Sequence, residues 1–242
     1  MMGTVGPSYP VLVWFVRLIV NTFFRRIEVV GREHVPAEGP VIFAGNHPNA
    51  LMDGFVVATR CGRLPLHFMG NAKLWRYRLM GAFLDALGSV PVYPRSEHGD
   101  AASHEAAFAR LFEVLEAGSC MGIFPEGISH TGSQLARLKT GTARIALAVA
   151  ARRKVRVTIV PCGLTYMHRH RFRSQALLQF GAPIVIDSVW LTAYAEAEVE
   201  TVRRLTDHLA GALAQLTLNA PDWETLRFIH TARRLYKPTS AR

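Results

Sequence analysis

A histidine and an aspartate lie close together in Gly45-Asn46-His47-Pro48-Asn49-Ala50-Leu51-Met52-Asp53-Gly54, directly after an apolar run that reads as a strand over residues 41–44. On one continuous helix a six-residue step turns a side chain by about 240° net, away from its partner. Pro48 prevents that arrangement, because it biases His47 toward an extended backbone and is itself suited to the first position of a helix. The spacing therefore predicts His47 on a loop and Asp53 about one to two turns into the helix that follows, from where the carboxylate reaches back to the ring. A carboxylate on one imidazole nitrogen leaves the other as a base able to activate a hydroxyl. A capping or surface pair is the plainer alternative for the same two residues.

Three further blocks also follow strands. Phe124-Pro125-Glu126-Gly127 places Glu126 and Gly127 where a sheet edge opens into a crevice, the usual ligand position in α/β folds. Downstream, Arg137, Lys139, Thr140 and Gly141 precede a helix starting near Thr142, whose unpaired N–H groups and positive dipole end favour a phosphate. A turn held by Pro125 and Gly127, with solvated basic side chains, is the alternative. Gly88-Ser89-Val90-Pro91-Val92-Tyr93-Pro94-Arg95 reads as a short strand ending in a guanidinium, either a phosphate ligand or a surface arginine on a turn. In Val160-Pro161-Cys162-Gly163-Leu164-Thr165-Tyr166 the cysteine has no histidine partner and is read as packing. His67, His98, His104 and His130 are scattered without ligand spacing, so no metal is expected. His130, three residues past Gly127, either lines the cleft or caps the loop.

The elements that must position these blocks alternate. Short apolar runs at 27–30, 41–44, 66–69, 120–124, 157–160 and 177–180 read as strands, several continuous enough to be buried on both faces. Between and after them, helical patterns cover 102–117, 142–151, 189–218 and 221–236. The first of these carries Phe108, Leu111, Phe112 and Leu115 on one stripe and ends at Gly118. The alternation predicts an α/β fold, one layered domain over 27–242 with a mostly buried sheet flanked by helices. Ahead of it, residues 1–26 read as an N-terminal amphipathic helix. Arg17, Asn21 and Arg25 share one stripe, with Leu12, Phe15, Leu18, Ile19 and Phe23 on the other side and Trp14 near the boundary. Its apolar run, 11–24, spans about 21 Å against the roughly 30 Å of a hydrocarbon core, so it reads as a membrane-interfacial anchor, or as a helix packed on its own domain. Residues 1–10 hold no basic side chain and no cleavage pattern follows, which argues against a signal peptide.

Composition narrows the partners. Lys and Arg number 28 against 18 Asp and Glu, a net charge of +10, while half of the 242 residues are hydrophobic. Disorder and a stapled mini-protein are excluded. Cys61, Cys120 and Cys162 form no C-x-x-C pair and fit free thiols in a reducing compartment. The basic excess points to an anionic partner, and a mean hydropathy of +0.15 favours a lipid surface over nucleic acid. His168-Arg169-His170-Arg171-Phe172-Arg173 interleaves cations with an aromatic, but the run is short and no recognition module surrounds it. Contact with anionic headgroups or donor phosphates is the more economical role for it.

In this order, the blocks resemble the glycerophospholipid acyltransferase family over residues 31–183. The commonest pattern of that family places four residues between His and Asp, whereas this chain has five, 48–52, a spacing that resembles a branch among glycerol-3-phosphate and dihydroxyacetone-phosphate acyltransferases. Ala232-Arg233-Arg234-Leu235-Tyr236-Lys237-Pro238 has a similar flavour. The resemblance implies transfer of a fatty acyl group from a thioester of coenzyme A or acyl carrier protein to a hydroxyl of glycerol 3-phosphate or a lysophosphatidate-like acceptor, in phospholipid biosynthesis. His47 would be the general base and Asp53 its orienting carboxylate. Asn46, Arg95, Glu126 and Gly127 would bind the acceptor, with Lys139 added from the helix-entry argument. No cofactor or metal is implied beyond the acyl donor. An anionic membrane surface is the implied partner, with the protein peripheral on its cytoplasmic face and no nucleic acid bound. Acylation of another lysolipid or an amino-acid lipid, or lipid binding without turnover, are the competing readings.

Overall fold

A computed structural model describes residues 5–92 and 101–222, together with 224–225 and 228–229. Helix α1 (Tyr9–Phe23) runs directly into β1 (Phe24–Val30). Then follow β2 (Val41–Gly45), α2 (Leu51–Arg60), β3 (Leu66–Asn71), α3 (Arg78–Ala86), β4 (Val90–Val92) and α4 (Ala101–Glu116). The second half holds β5 (Cys120–Ile123), α5 (Gly141–Arg153), β6 (Thr158–Tyr166), β7 (Ser174–Phe180), β8 (Ile184–Val185), α6 (Ser188–Glu196) and α7 (Glu198–Leu216).

All eight strands form one sheet in the order β1-β7-β6-β2-β5-β3-β4, with β8 also on β6. The run β6-β2-β5-β3-β4 is parallel, β7 and β8 are antiparallel to β6, and β1 is parallel to β7. Every residue of β2 and β5 is buried, as unbroken apolar runs require when helices cover both faces. Alternation along β2 sends Ile42 to one core, with Met121, Leu111, Ile145 and Leu205, and Phe43 to the other, with Val160, Val16, Val56 and Phe180. The chain is thus the α/β layered fold expected, with flanking helices and a helix at its N-terminal end.

Several boundaries differ from the sequence reading. The strand expected at 27–30 starts at Phe24, β6 and β7 are longer, and β8 and α3 carry patterns too short to have been anticipated. The helix expected over 189–218 breaks at Ala197, whose backbone leaves the helical region. A straight helix of that length would run about 45 Å, longer than a small domain is wide, and the bend keeps both Trp190 and Leu205 on the core. The helix expected over 221–236 lies largely outside the described residues.

Helix α1 packs on the domain through one side and leaves apolar residues exposed on the other. Tyr9, Val13, Val16 and Val20 are buried against the domain, and Asn21 accepts a hydrogen bond from Arg60 of α2. Leu12, Ile19 and Phe23 lie at the margins, half-buried, while Val11, Trp14, Phe15 and Leu18 are exposed. Periodicity located the helix, but β-branched valines competed with larger apolar residues for the inner side. Tyr9 and the valines line the inner side, and Trp14, Phe15 and Leu18 are turned outward.

Gly122 of β5 gives room to the Phe68 ring: a Cβ there would lie 2.1 Å from ring carbon Cε1. Gly122→Ala should therefore lower the urea midpoint by the equivalent of about 1–3 kcal/mol, the usual range for overpacking. An unchanged midpoint would show that the ring moves freely.

Candidate active site

The C-terminal ends of the adjacent parallel strands β2 and β5 release two loops toward each other. They are laced together by backbone and side-chain bonds. His47 N–H donates to Glu126 Oε1 at 2.8 Å, His130 N–H donates to the His47 carbonyl at 3.1 Å, and Ala50 N–H donates to Ser129 Oγ at 3.0 Å. The other Glu126 oxygen accepts from Ala136 N–H at 2.8 Å and pairs with His130 Nε2. His130 Nδ1 accepts from Gly132 N–H, which places the ring proton on Nε2, facing Glu126. Glu126, 3% exposed, is thereby a buried bracket between the two loops.

Helix α2 begins at Leu51, not at Pro48 as the proline suggested, so Asp53 sits in its first turn. Residues 49–52 form a tight turn, with Met52 N–H bonded to the Asn49 carbonyl and Ala50 at φ 45°, ψ −129°. That geometry matches the first central residue of a type II′ turn, a position that favours glycine. The turn takes up the fifth residue between His47 and Asp53. His47 Nδ1 then lies 2.9 Å from Asp53 Oδ2, which also accepts from Asn49 N–H at 2.7 Å. Oδ1 accepts from Tyr166 Oη at 2.6 Å. An acceptor-only carboxylate requires the imidazole proton on Nδ1, leaving Nε2 as the acceptor. Among the described residues Nε2 has no hydrogen-bond partner, and the ring borders a cleft lined also by Glu126, His130 and Leu135.

Burial shapes the electrostatics. Asp53 is fully buried, and desolvation pushes its carboxyl above the ordinary value although His47, Tyr166 and Asn49 all pull it down. Burial, reinforced by the Asp53 charge, pushes Tyr166 well above the usual phenol range and keeps its hydroxyl a donor. The imidazole lies flat on Phe124, with centroids 4.1 Å apart and planes 6° apart, and Phe124 in turn stacks on Phe68.

The other expected site residues are distributed as follows. Asn46 spends its amide on Leu164 of β6, donating to the carbonyl at 3.0 Å and accepting from the N–H at 2.7 Å. Gly127 has φ 71°, and a Cβ there would lie 2.5 Å from Lys139 Nζ, so the lysine side chain lies across the Phe-Pro-Glu-Gly turn. Lys139 N–H also donates to the Pro125 carbonyl. Arg95 lies outside the described residues. Cys162 is buried in the sheet, where desolvation pushes its thiol far up, in keeping with a packing role. Among the described residues no three metal-ligating side chains come together. The sequence reading missed Tyr166 and Phe124 as parts of the site. Alternation along β6 places Tyr166 on the side of Cys162 and Leu164, but its approach to Asp53 is a long-range contact that spacing does not carry.

A family model described as acyltransferase matches residues 26–165. Glycerol-3-phosphate O-acyltransferase 2 of Saccharomyces cerevisiae is 46% identical over 136 residues, 56% of this chain and 18% of that protein. The chain thus spans about a fifth of that relative's length. The 1-acyl-sn-glycerol-3-phosphate acyltransferase of Borreliella burgdorferi is 27% identical over 187 residues, 74% of this chain and 69% of its own. In fold, the crystal structure of the 1-acyl-sn-glycerophosphate acyltransferase PlsC from Thermotoga maritima superposes with a TM-score of 0.58 at 16% identity, covering 86% of this chain and 78% of that one.

Two outcomes are expected. Ala50→Gly should raise stability by about 1 kcal/mol by relieving the positive φ, read as a higher denaturation midpoint. Tyr166→Phe removes a donor from a carboxylate whose folded pKa is already raised, and so raises it further. Because the folded state then binds that proton more tightly than the unfolded one, the deficit of about 2 kcal/mol should be fully present at neutral pH and shrink as pH falls through the folded pKa. The acid limb of the pH–rate profile should move to higher pH. An unmoved limb would reduce Tyr166 to a packing residue.

Proposed function

The chain belongs to the acyltransferase family, and we propose that it moves a fatty acyl group from a thioester of coenzyme A or acyl carrier protein to a hydroxyl of glycerol 3-phosphate or a lysophosphatidate-like acceptor, a step in phospholipid biosynthesis. The observation that carries this reading is the His47–Asp53 pair at 2.9 Å, with Nε2 free at the cleft. His47 Nε2 takes the proton of the acceptor hydroxyl as its oxygen bonds to the thioester carbonyl carbon. Asp53 stabilises the imidazolium that results. The tetrahedral intermediate collapses with cleavage of the carbon–sulfur bond, and the imidazolium returns the proton to the departing thiolate. Proton transfer of this kind contributes about 10²- to 10⁴-fold, so positioning must supply much of the remainder.

In this reading the acceptor's phosphate and glycerol meet Gly127, Lys139 and Arg95. Asn46 and Glu126 act beside them by holding the His47 loop against β6 and the Phe-Pro-Glu-Gly turn. No cofactor is needed beyond the acyl donor.

Membrane contact falls to α1, as the interfacial segment of residues 1–26 joined to the domain 27–242. Its Val11, Trp14, Phe15 and Leu18 are 66%, 63%, 47% and 48% exposed, on the side opposite the buried valines. A helix apolar on both sides, one against its own core, suits an interfacial seat on an anionic, cytoplasmic membrane face. Among the described residues no helix is long and apolar enough to cross a membrane.

Incubating the purified protein with an acyl thioester and each acceptor, while following free thiol and acylated product, tests the chemistry. His47→Ala and Asp53→Asn should each slow turnover by about 10³-fold or more. Equal thiol release by wild type and His47→Ala would end the enzyme reading. Because α1 is built into the core, the membrane test keeps the helix. Trp14→Ser with Phe15→Ser should retain the fold yet lose flotation with anionic liposomes, whereas undiminished flotation would place the contact elsewhere.

A further inference from the structure

The loop between β6 and β7 carries His168, Arg169, His170, Arg171 and Arg173, and its position beside the catalytic turn is specific. The Asn49 side-chain amide donates to the Arg169 carbonyl, and Arg169 Nη1 donates to the Pro48 carbonyl, both at 3.4 Å. These anchors are one and two residues from His47, at about 3.8 Å per Cα step. The far end of the loop is also tied down: Arg173 N–H donates to the Phe23 carbonyl at 2.7 Å, and Phe172 meets the Phe23 ring edge-on. Hydrogen bonds from Arg171 N–H to His168 and from Ser174 N–H to Arg171 close two turns within it. The cations are therefore displayed on a preorganised loop.

Arg173 sits at φ 62°, in the left-handed region that favours glycine. Glycine would fit the backbone better, so Arg173→Gly removes the guanidinium without straining the loop. No Asp or Glu occurs between Glu126 and Asp187, nor before Glu28, so both segments that meet here lack acidic residues. The two carboxylates at His47, Asp53 and Glu126, are buried and occupied by their own donors, so the exposed charge beside the reacting group is of one sign and favours an anion. Within the neighbouring turn, Ile128, Ser129 and His130 supply no permanent cation.

We propose that the loop over residues 168–173, with Arg171 and Arg173 as its principal cations, binds the phosphomonoester of the acceptor and so sets which hydroxyl reaches His47. This rests on the acyl-transfer reading above and adds a second phosphate contact from the side of the His47 turn opposite Glu126. Only a few bonds separate phosphorus from hydroxyl in a glycerol phosphate, so an anion site lashed to residues 48 and 49 is within the reach the reaction needs. Arginine suits it through two parallel donors to phosphate oxygens.

The test compares wild type with Arg173→Gly and Arg171→Gln, using Arg153→Gln on distant α5 as the control for net charge. Acceptors are soluble sn-glycerol 3-phosphate and 1-acylglycerol 3-phosphate in phosphatidylcholine vesicles. Arg173→Gly should keep or raise the thermal midpoint while raising KM for the acceptor about 5- to 10-fold, the loss falling on KM more than on kcat. Arg153→Gln should leave KM unchanged. An effect with the soluble acceptor identifies a free phosphomonoester as the ligand, and an effect confined to vesicles identifies a lysolipid headgroup. Unchanged KM for both acceptors in both loop variants would overturn the proposal while leaving acyl transfer intact. Were no transfer detected at all, calorimetric binding of sn-glycerol 3-phosphate to wild type, weakened by Arg173→Gly, would still uphold the subsite. Binding that is absent or indifferent to the substitution would sink it.

Discussion

A carboxylate in the interior of a protein is stable only where donors replace the water it has lost, and Asp53 meets that condition through three donors from two separate parts of the chain. The β2 loop gives the His47 ring nitrogen and the Asn49 amide, and the end of β6 gives the Tyr166 hydroxyl. Removing any one of them strands charge in a buried site. The requirement fixes more than the pair itself: β6 must lie beside β2, the 49–52 turn must close tightly, and α2 must start where its first turn can offer a side chain back to the loop. On the proposed acyl-transfer reading, function and folding impose the same demands here, and the strained Ala50 lies in the turn that meets them.

The second carboxylate, Glu126, has a different task. It touches the backbone N–H groups of His47 and Ala136 and the ring of His130, so it ties the loop after β2 to two points along its own long loop. Parallel strands bring loops to a common edge but do not fix their relative heights. A buried acceptor with two oxygens does so at modest expense, because each bond it accepts is charge-assisted. The flat stack of His47 on Phe124 adds lateral restraint. Between them these contacts leave the imidazole one useful freedom, its exposed nitrogen.

Much of this was legible in the residues alone. The strand-loop placement of His47, the reach of Asp53, the sheet-edge position of Glu126 and the α/β layering follow from local patterns, and local patterns are what a sequence records. Tyr166 was not legible as a partner, since its meeting with Asp53 depends on which strand neighbours β2. Pro48 misplaced the start of α2 because the proline rule knows nothing of a turn that uses Ala50 at positive φ. Which side of α1 faces the domain was not legible, because apolar residues occupy most of the helix and long-range packing decides which of them are buried. The bend at Ala197 came from the size of the body the helix covers, a property of the whole molecule.

Phe24 joins two matters that look separate. It is the residue at which α1 ends and β1 begins, it is buried, and its ring stacks on Tyr166 with centroids 5.5 Å apart. The aromatic that seats the outward-facing helix thus leans on the phenol that steadies the buried carboxylate. For a helix resting on lipid, the height of the imidazole above the bilayer is then a fixed dimension of the molecule, like the throat of a gauge. Under the proposed acyl transfer, hydroxyls carried at one depth would be met squarely, while those held deeper or shallower would have to travel to it.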